Sequence, residues 1–161
     1  MGRASVIFLI RVLAVIGAAI VIDQLCIEPF RGNLLLRDIE QRSARAQTLE
    51  PTRAKALAHS NLHDLDTGAR GRRLDPEWYL LYGTNCEIVE RWSDAADAYT
   101  RALQIDQRPE IYVNRGLVML HMGAADAAVA DLATAARFDP TIVDQLEGEL
   151  RARVAAAARR R

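Results

Sequence analysis

The sequence predicts an all-α protein with an N-terminal membrane helix, and three observations carry that reading. Half of the residues are apolar but only 6% are aromatic. Alanine supplies much of that half, a balance that favours helix over strand. Residues 6–22 form an apolar run broken only by Arg11. A pattern of small and large residues then recurs in phase, with Gly83 and Gly116 33 residues apart. The 161 residues suffice for one domain and an anchor. They divide into an anchor (1–27), a helical connecting segment with a basic loop (28–74), a repeat region (75–140) and a capping helix with a basic tail (141–161).

The apolar run of 17 residues lies at the short end of the range for a spanning helix. A cleaved signal peptide needs a small-x-small site after the apolar core, and Val21, Ile22, Asp23, Gln24 and Leu25 offer none. Leu25 precedes Cys26 where a lipoprotein needs a small residue, and Val6 stands where N-myristoylation needs Ser or Thr. An uncleaved signal anchor is therefore expected. Arg11 has two readings: an intramembrane partner for an acid, or a side chain that snorkels. It lies five residues inside Val6, about 7.5 Å along a helix, within reach of the near interface. Arg3 and Arg11 place positive charge on the N-terminal side, while Asp23 and Glu28 follow the run. Arg31, Arg37 and Arg42 blur the contrast, but the balance favours a cytoplasmic N-terminus. In a bacterium this describes a single-pass inner-membrane protein with its C-terminal domain in the periplasm.

Pro29 and Gly32 are expected to break the chain after the anchor. A helix follows over 33–47 with Leu34, Leu35, Leu36 and Ile39 apolar, and another over 51–65, with Thr48 as a capping candidate and Pro51 in its first turn. Ala54, Leu57, Ala58, Leu62 and Leu65 give the second helix one apolar stripe. His59 and His63 share a face there, but Ser60 stands where the HExxH metal motif needs Glu, so an exposed polar face is expected. Residues 67–73 form a basic, glycine-containing loop without the P-loop pattern; Arg70, Arg72 and Arg73 are read as solvated, with acidic lipid or an acidic partner as the functional alternative.

Charge and cysteines exclude several classes. The formal charge is zero, from 21 basic and 21 acidic residues, so no net field points to nucleic acid. Cys26 and Cys86 form no CxxC and no zinc set. Cys86 is read as a small core residue. There is no GxSxG, dinucleotide fingerprint, P-loop or metal cluster. No enzyme activity and no cofactor are expected.

The repeat is the informative part. Tyr79, Tyr82, Gly83, Ala95, Tyr99 and Ala102 align without gaps on Tyr112, Arg115, Gly116, Ala128, Leu132 and Ala135. Each Gly precedes its Ala by twelve residues. Small residues at Gly83, Ala95, Gly116 and Ala128 suit close helix approach, and Tyr79, Tyr82, Tyr99, Tyr112, Met119 and Leu132 fill the space between. Ser93 is a capping candidate for the second helix, Gly123 falls in the later turn, and Pro140 ends that unit. Residues 141–161 read as one amphipathic helix on Ile142, Val143, Leu146, Leu150 and Val154, with a basic end.

These units resemble tetratricopeptide repeats, whose pattern runs aromatic, Gly, Ala, aromatic, Ala and a closing Pro. The period is one residue shorter than the family's, Gln107 replaces the first closing Pro, and Cys86 takes a usual aromatic position. The resemblance implies helical hairpins, two such repeats and a C-terminal capping helix. It also implies a protein-binding scaffold, with a groove at Leu80, Thr84 and Glu87 in the first unit and Val113, Asn114, Leu117 and His121 in the second. Some members clamp a C-terminal carboxylate with Lys and Asn. Asn114 matches one such position, but Leu80 and Thr84 stand at the others, so that clamp is not expected. The implied partner is a protein helix or extended segment, with a homo-oligomer also open. Leu80, Val113 and Leu117 have the alternative of being covered by this chain's own middle helices. A non-catalytic structural or assembly subunit of a membrane complex is the alternative function. Two repeats are fewer than a stable array needs, so the leading face of the first helix requires a cover: the 51–65 helix, a second copy, or a partner.

Overall fold

The structure, a computed structural model, describes residues 3–68 and 75–160, with side chains described for all of these except 3–11, 26, 28 and 29. Among the described residues it is all-helical, with eight α-helices, one π-helical stretch, one 3-10 segment and no strand. The side chain of Arg11 and the loop residues Arg70, Arg72 and Arg73 lie outside the described residues, as do the side chain of Cys26 and Arg161.

Helix α1 spans Arg3–Ile22. Among the described residues one helix, Val12–Ala46 near the N-terminus, is long and apolar enough to cross a membrane, and the second half of α1 begins it. Every residue from Val12 to Ile22 is exposed, so the fold itself gives this apolar surface no cover. The expected break at Pro29 and Gly32 does not occur. The helix runs through a π-helical stretch, Asp23–Ile27, directly into α2, Glu28–Ala46. Pro29 falls in the first turn of α2, where a proline has no interior hydrogen bond to remove. The π-helical stretch just before it shifts the hydrogen-bond register and lets the helix continue. Gly32 is buried in the continuing helix.

Helix α3, Pro51–Thr67, follows a short turn. Thr48 does not cap it: its Oγ1 donates to the Arg45 carbonyl at 2.9 Å, and Glu50 holds the cap position without a side-chain bond. The expected polar face is found, with His59 and His63 exposed and Ala54, Ala58, Leu62 and Leu65 buried.

Two hairpins of matched length follow. Helix α4 (Pro76–Ile88) pairs with α5 (Trp92–Ile105), and α6 (Pro109–His121) pairs with α7 (Ala125–Phe138). Asp75 caps α4 by accepting from the Glu77 amide at 3.0 Å. Ser93 is no cap: it lies inside α5, whose cap position is Arg91. Each tight turn uses one left-handed residue at the same place, Glu90 at φ 62° in the first and Gly123 at φ 76° in the second. The small residues have a visible cause. A Cβ on Gly83 would sit 2.6 Å from the Tyr99 ring, and one on Gly116 would sit 3.0 Å from Leu132 Cγ.

Helices α2 and α3 of this same chain cover the leading face of α4. Leu36, Ile39, Leu65, Trp78 and Leu81 form one apolar cluster there. Leu62, Cys86, Tyr99, Ala102, Ile111 and Val118 fill the centre, and Val129, Leu132, Ala136 and Val154 close the far end. A buried amide network ties the cover in place: Asn85 donates to Ser43 Oγ and Asn61 donates to Asn85 Oδ1, both at 2.8 Å. The last segment is not one helix. A 3-10 turn, Pro140–Gln145, precedes α8, Gly148–Ala158. Asp139 accepts from the Thr141 amide at 2.9 Å, which starts the turn. Gly148 at φ 57° resets the backbone direction before α8. α8 then packs on α7 through the buried Val154.

Candidate functional site

The first helices of the two hairpins, α4 and α6, border an open groove. Gln47 from the end of α2, Thr84, Glu87 and Ile88 from α4, Trp92 from α5, and Asn114, Leu117 and His121 from α6 line a concavity of about 420 Å³. Five of the seven groove residues expected from the sequence, Thr84, Glu87, Asn114, Leu117 and His121, therefore meet in one place. The other two do not line it. Leu80 is half-buried against the central apolar cluster, and Val113 is half-buried against the far-end cluster beside α8. Leu117 is 40% exposed, so the middle helices leave it open to a ligand.

Helical spacing explains the α4 contribution. Thr84, Glu87 and Ile88 lie three and four residues apart, on one face of the helix. Ile88 was therefore within reach of the same sequence argument that selects Thr84 and Glu87. Gln47 and Trp92 were not, because each comes from a neighbouring element and only packing brings it to the groove.

The groove holds two titratable side chains, Glu87 and His121. Tyr99, fully buried behind Gly83, sends its hydroxyl through the hairpin to donate to the Glu87 carboxylate. Thr84 Oγ1 donates to the Leu80 carbonyl at 3.0 Å and lies 3.3 Å from the Tyr99 oxygen. Burial pushes the Glu87 carboxyl above its ordinary value, against the Tyr99 hydrogen bond and the nearby His121. Burial also pushes the Tyr99 hydroxyl up, reinforced by the adjacent Glu87 charge. His121 stacks face to face on Trp92, centroids 4.2 Å apart and planes 4° from parallel. That stack fixes the groove's apolar wall. Cys86, on the buried side of α4, has its thiol pushed up to about 12 by desolvation, which makes it a packing residue with little nucleophilic character.

The arrangement offers hydrogen-bonding side chains, one half-buried carboxylate and an apolar wall, which is the equipment of a binding surface. Two other concavities lie away from this groove. One, on the α4/α5 side, has Asp94, Asp97 and Arg101 around Trp78, Tyr79 and Tyr82. The other, between α7, the 3-10 turn and α8, has Ala136, Val143, Ala155 and Ala158 with Arg137, Asp144 and Arg159 around them. Among the described residues no three His, Cys, Asp or Glu side chains are grouped to hold a metal ion. The chain matches no protein-family model, no curated protein and no solved structure. The chemistry of the groove rests on its own geometry.

Proposed function

We propose that this chain is a membrane-anchored, non-catalytic scaffold whose two hairpins are tetratricopeptide-like and whose groove holds a segment of a partner protein. One observation carries the reading: five residues chosen from two sequence units by register converge, across two helices, on one open concavity. An extended or helical segment laid there would meet Asn114 and Gln47 as hydrogen-bonding groups and Ile88, Trp92 and Leu117 as apolar contacts. The exposed apolar surface of α1 supports the anchor. The continuous helix from α1 into α2 would hold the groove-bearing domain close to the membrane. Positive charge before the apolar run favours a cytoplasmic N-terminus, which in a bacterial inner membrane puts the domain in the periplasm.

Site-specific photo-crosslinking in intact cells tests this. A photoreactive residue at Leu117 should give one discrete adduct, and Ile88→Arg should abolish it. The same probe at Gln104, exposed on α5 outside the groove, should give none. Equal adducts at both sites, or none at Leu117, would overturn the groove as the binding face.

A further inference from the structure

Among the described residues no Arg or Lys side chain pairs with Glu87, and none lines the groove. Its hydrogen-bond donor within the fold is the Tyr99 hydroxyl, delivered from behind. A carboxylate accepts several hydrogen bonds through two oxygens, so one donor leaves accepting capacity turned toward the groove. This asymmetry constrains the occupant. A neutral segment could return at most a neutral N–H or O–H donor, which offsets only part of the desolvation of an ionised carboxylate, and an acidic one would add repulsion. A cation would restore the lost solvation as a charge-assisted hydrogen bond. The neighbouring Leu117 and Trp92 suit the rest of such a side chain, since the methylene stems of Lys and Arg pack on apolar surface while the charged head reaches on.

We propose that the groove selects a partner segment carrying a Lys or Arg side chain, whose charged head pairs with Glu87 while its stem lies against Leu117 and Trp92. The inference rests on the groove being a polypeptide site and adds which polypeptides it takes. Tyr99 positions the carboxylate and is not itself a ligand contact. Burial, which holds the Glu87 carboxyl above its ordinary value, also strengthens its attraction for a cation once the site is covered.

The test is selection of short random peptides on the full chain in lipid nanodiscs, counter-selected against the Leu117→Arg variant, which fills the groove and repels a cation, to retain groove binders. The expected result is a Lys or Arg at one fixed position of the selected peptides. Replacing that residue by norleucine should weaken binding about tenfold. Glu87→Gln, which keeps an acceptor for Tyr99, should weaken the parent peptide by a similar factor and leave the norleucine peptide unchanged. Groove-dependent peptides with no cationic position, or equal binding by Glu87→Gln, would overturn cation selection and leave the groove reading standing. Binders that all survive Leu117→Arg, or no binders, would overturn the groove reading and this inference with it. Self-association of the full chain that disappears in Glu87→Gln would uphold cation selection, give the site to the Arg-rich tail of a second copy and overturn a separate partner protein.

Discussion

The two hairpins share a frame and differ in chemistry. Each pairs a 13-residue helix with a 14-residue helix, and equivalent positions lie 33 residues apart. Behind Gly83 stands Tyr99; behind Gly116 stands Leu132. Asn85 is fully buried in the first hairpin, and Val118 is fully buried at the same place in the second. Glu87 corresponds to Leu120, and Trp92 to Ala125. The second hairpin keeps an apolar interior, supplies Asn114, Leu117 and His121 to the groove, and joins its two helices by a two-pronged Arg115–Asp131 pair at 2.7 Å. The first hairpin carries polar groups through its interior. Those groups do two jobs: Asn85 ties it to α2 and α3, and Tyr99 holds Glu87 in the groove. A duplicated frame can therefore specialise by changing what passes through the core while keeping the small residues that set helix spacing.

The largest expected effect comes from exchanging the buried pair. Asn85→Val makes the first hairpin like the second, but it strands Asn61 and Ser43, which lose the hydrogen bonds that Asn85 makes with them. The cost is about 1–3 kcal/mol. Val118→Asn makes the opposite change and buries an amide among apolar neighbours, with a cost of the same order or more. Urea denaturation of the full chain in detergent, followed by circular dichroism, measures both. A neutral Asn85→Val would show that the amide network contributes no stability to the docking of α2 and α3.

A smaller effect separates the two glycines. Gly83→Ala drives a Cβ to 2.6–2.9 Å from three carbons of the Tyr99 ring, which is fully buried. Overpacking of about 1–3 kcal/mol should outweigh the helix-propensity gain of roughly 1 kcal/mol. At Gly116 the nearest atom is Leu132 Cγ at 3.0 Å, a branched aliphatic side chain that yields more readily than a ring. Gly116→Ala should therefore be neutral or slightly stabilising. Equal destabilisation in the same melts would show that both positions are set by backbone approach and not by the side chain behind them.

The sequence made part of this legible. The phase of small and large residues depends on near neighbours, so Gly83, Ala95, Gly116 and Ala128 could be read directly, and the groove positions Thr84, Glu87, Asn114, Leu117 and His121 came with that phase. What failed was local in a different way. Ser93 and Thr48 are good capping types, but helix ends shift by a residue or two when Arg91 and Glu50 already occupy the cap positions. Pro29 signals a break in general, and the π-helical stretch before it removes the need for one. The Ser43–Asn61–Asn85 network and the contributions of Gln47 and Trp92 join residues far apart in the chain. No periodicity within one helix announces them.

The smallest effect is the most diagnostic of what the polar interior of the first hairpin is for. Glu87 has its folded-state acidity weakened by burial, so the folded protein binds that proton more tightly than the unfolded chain does. Stability from this group is fully present below the ordinary carboxylate value and is lost as pH rises through the raised folded value. At neutral pH the ionised Glu87 is thus a burden on the fold. Glu87→Gln should leave stability at neutral pH unchanged or slightly higher, and should remove one falling limb from the stability profile above the ordinary carboxylate range. The difference between the two pH profiles isolates Glu87 from other carboxyls, including Asp139, whose acidity is strengthened by its bonds to Thr141. A Leu120→Gln change at the equivalent place in the second hairpin should show no such pH-dependent difference. Clear destabilisation by Glu87→Gln at neutral pH would mean that the carboxylate is there to hold the hairpin together, and the contrast between a first hairpin with polar groups through its interior and a second with an apolar one would lose its link to the groove.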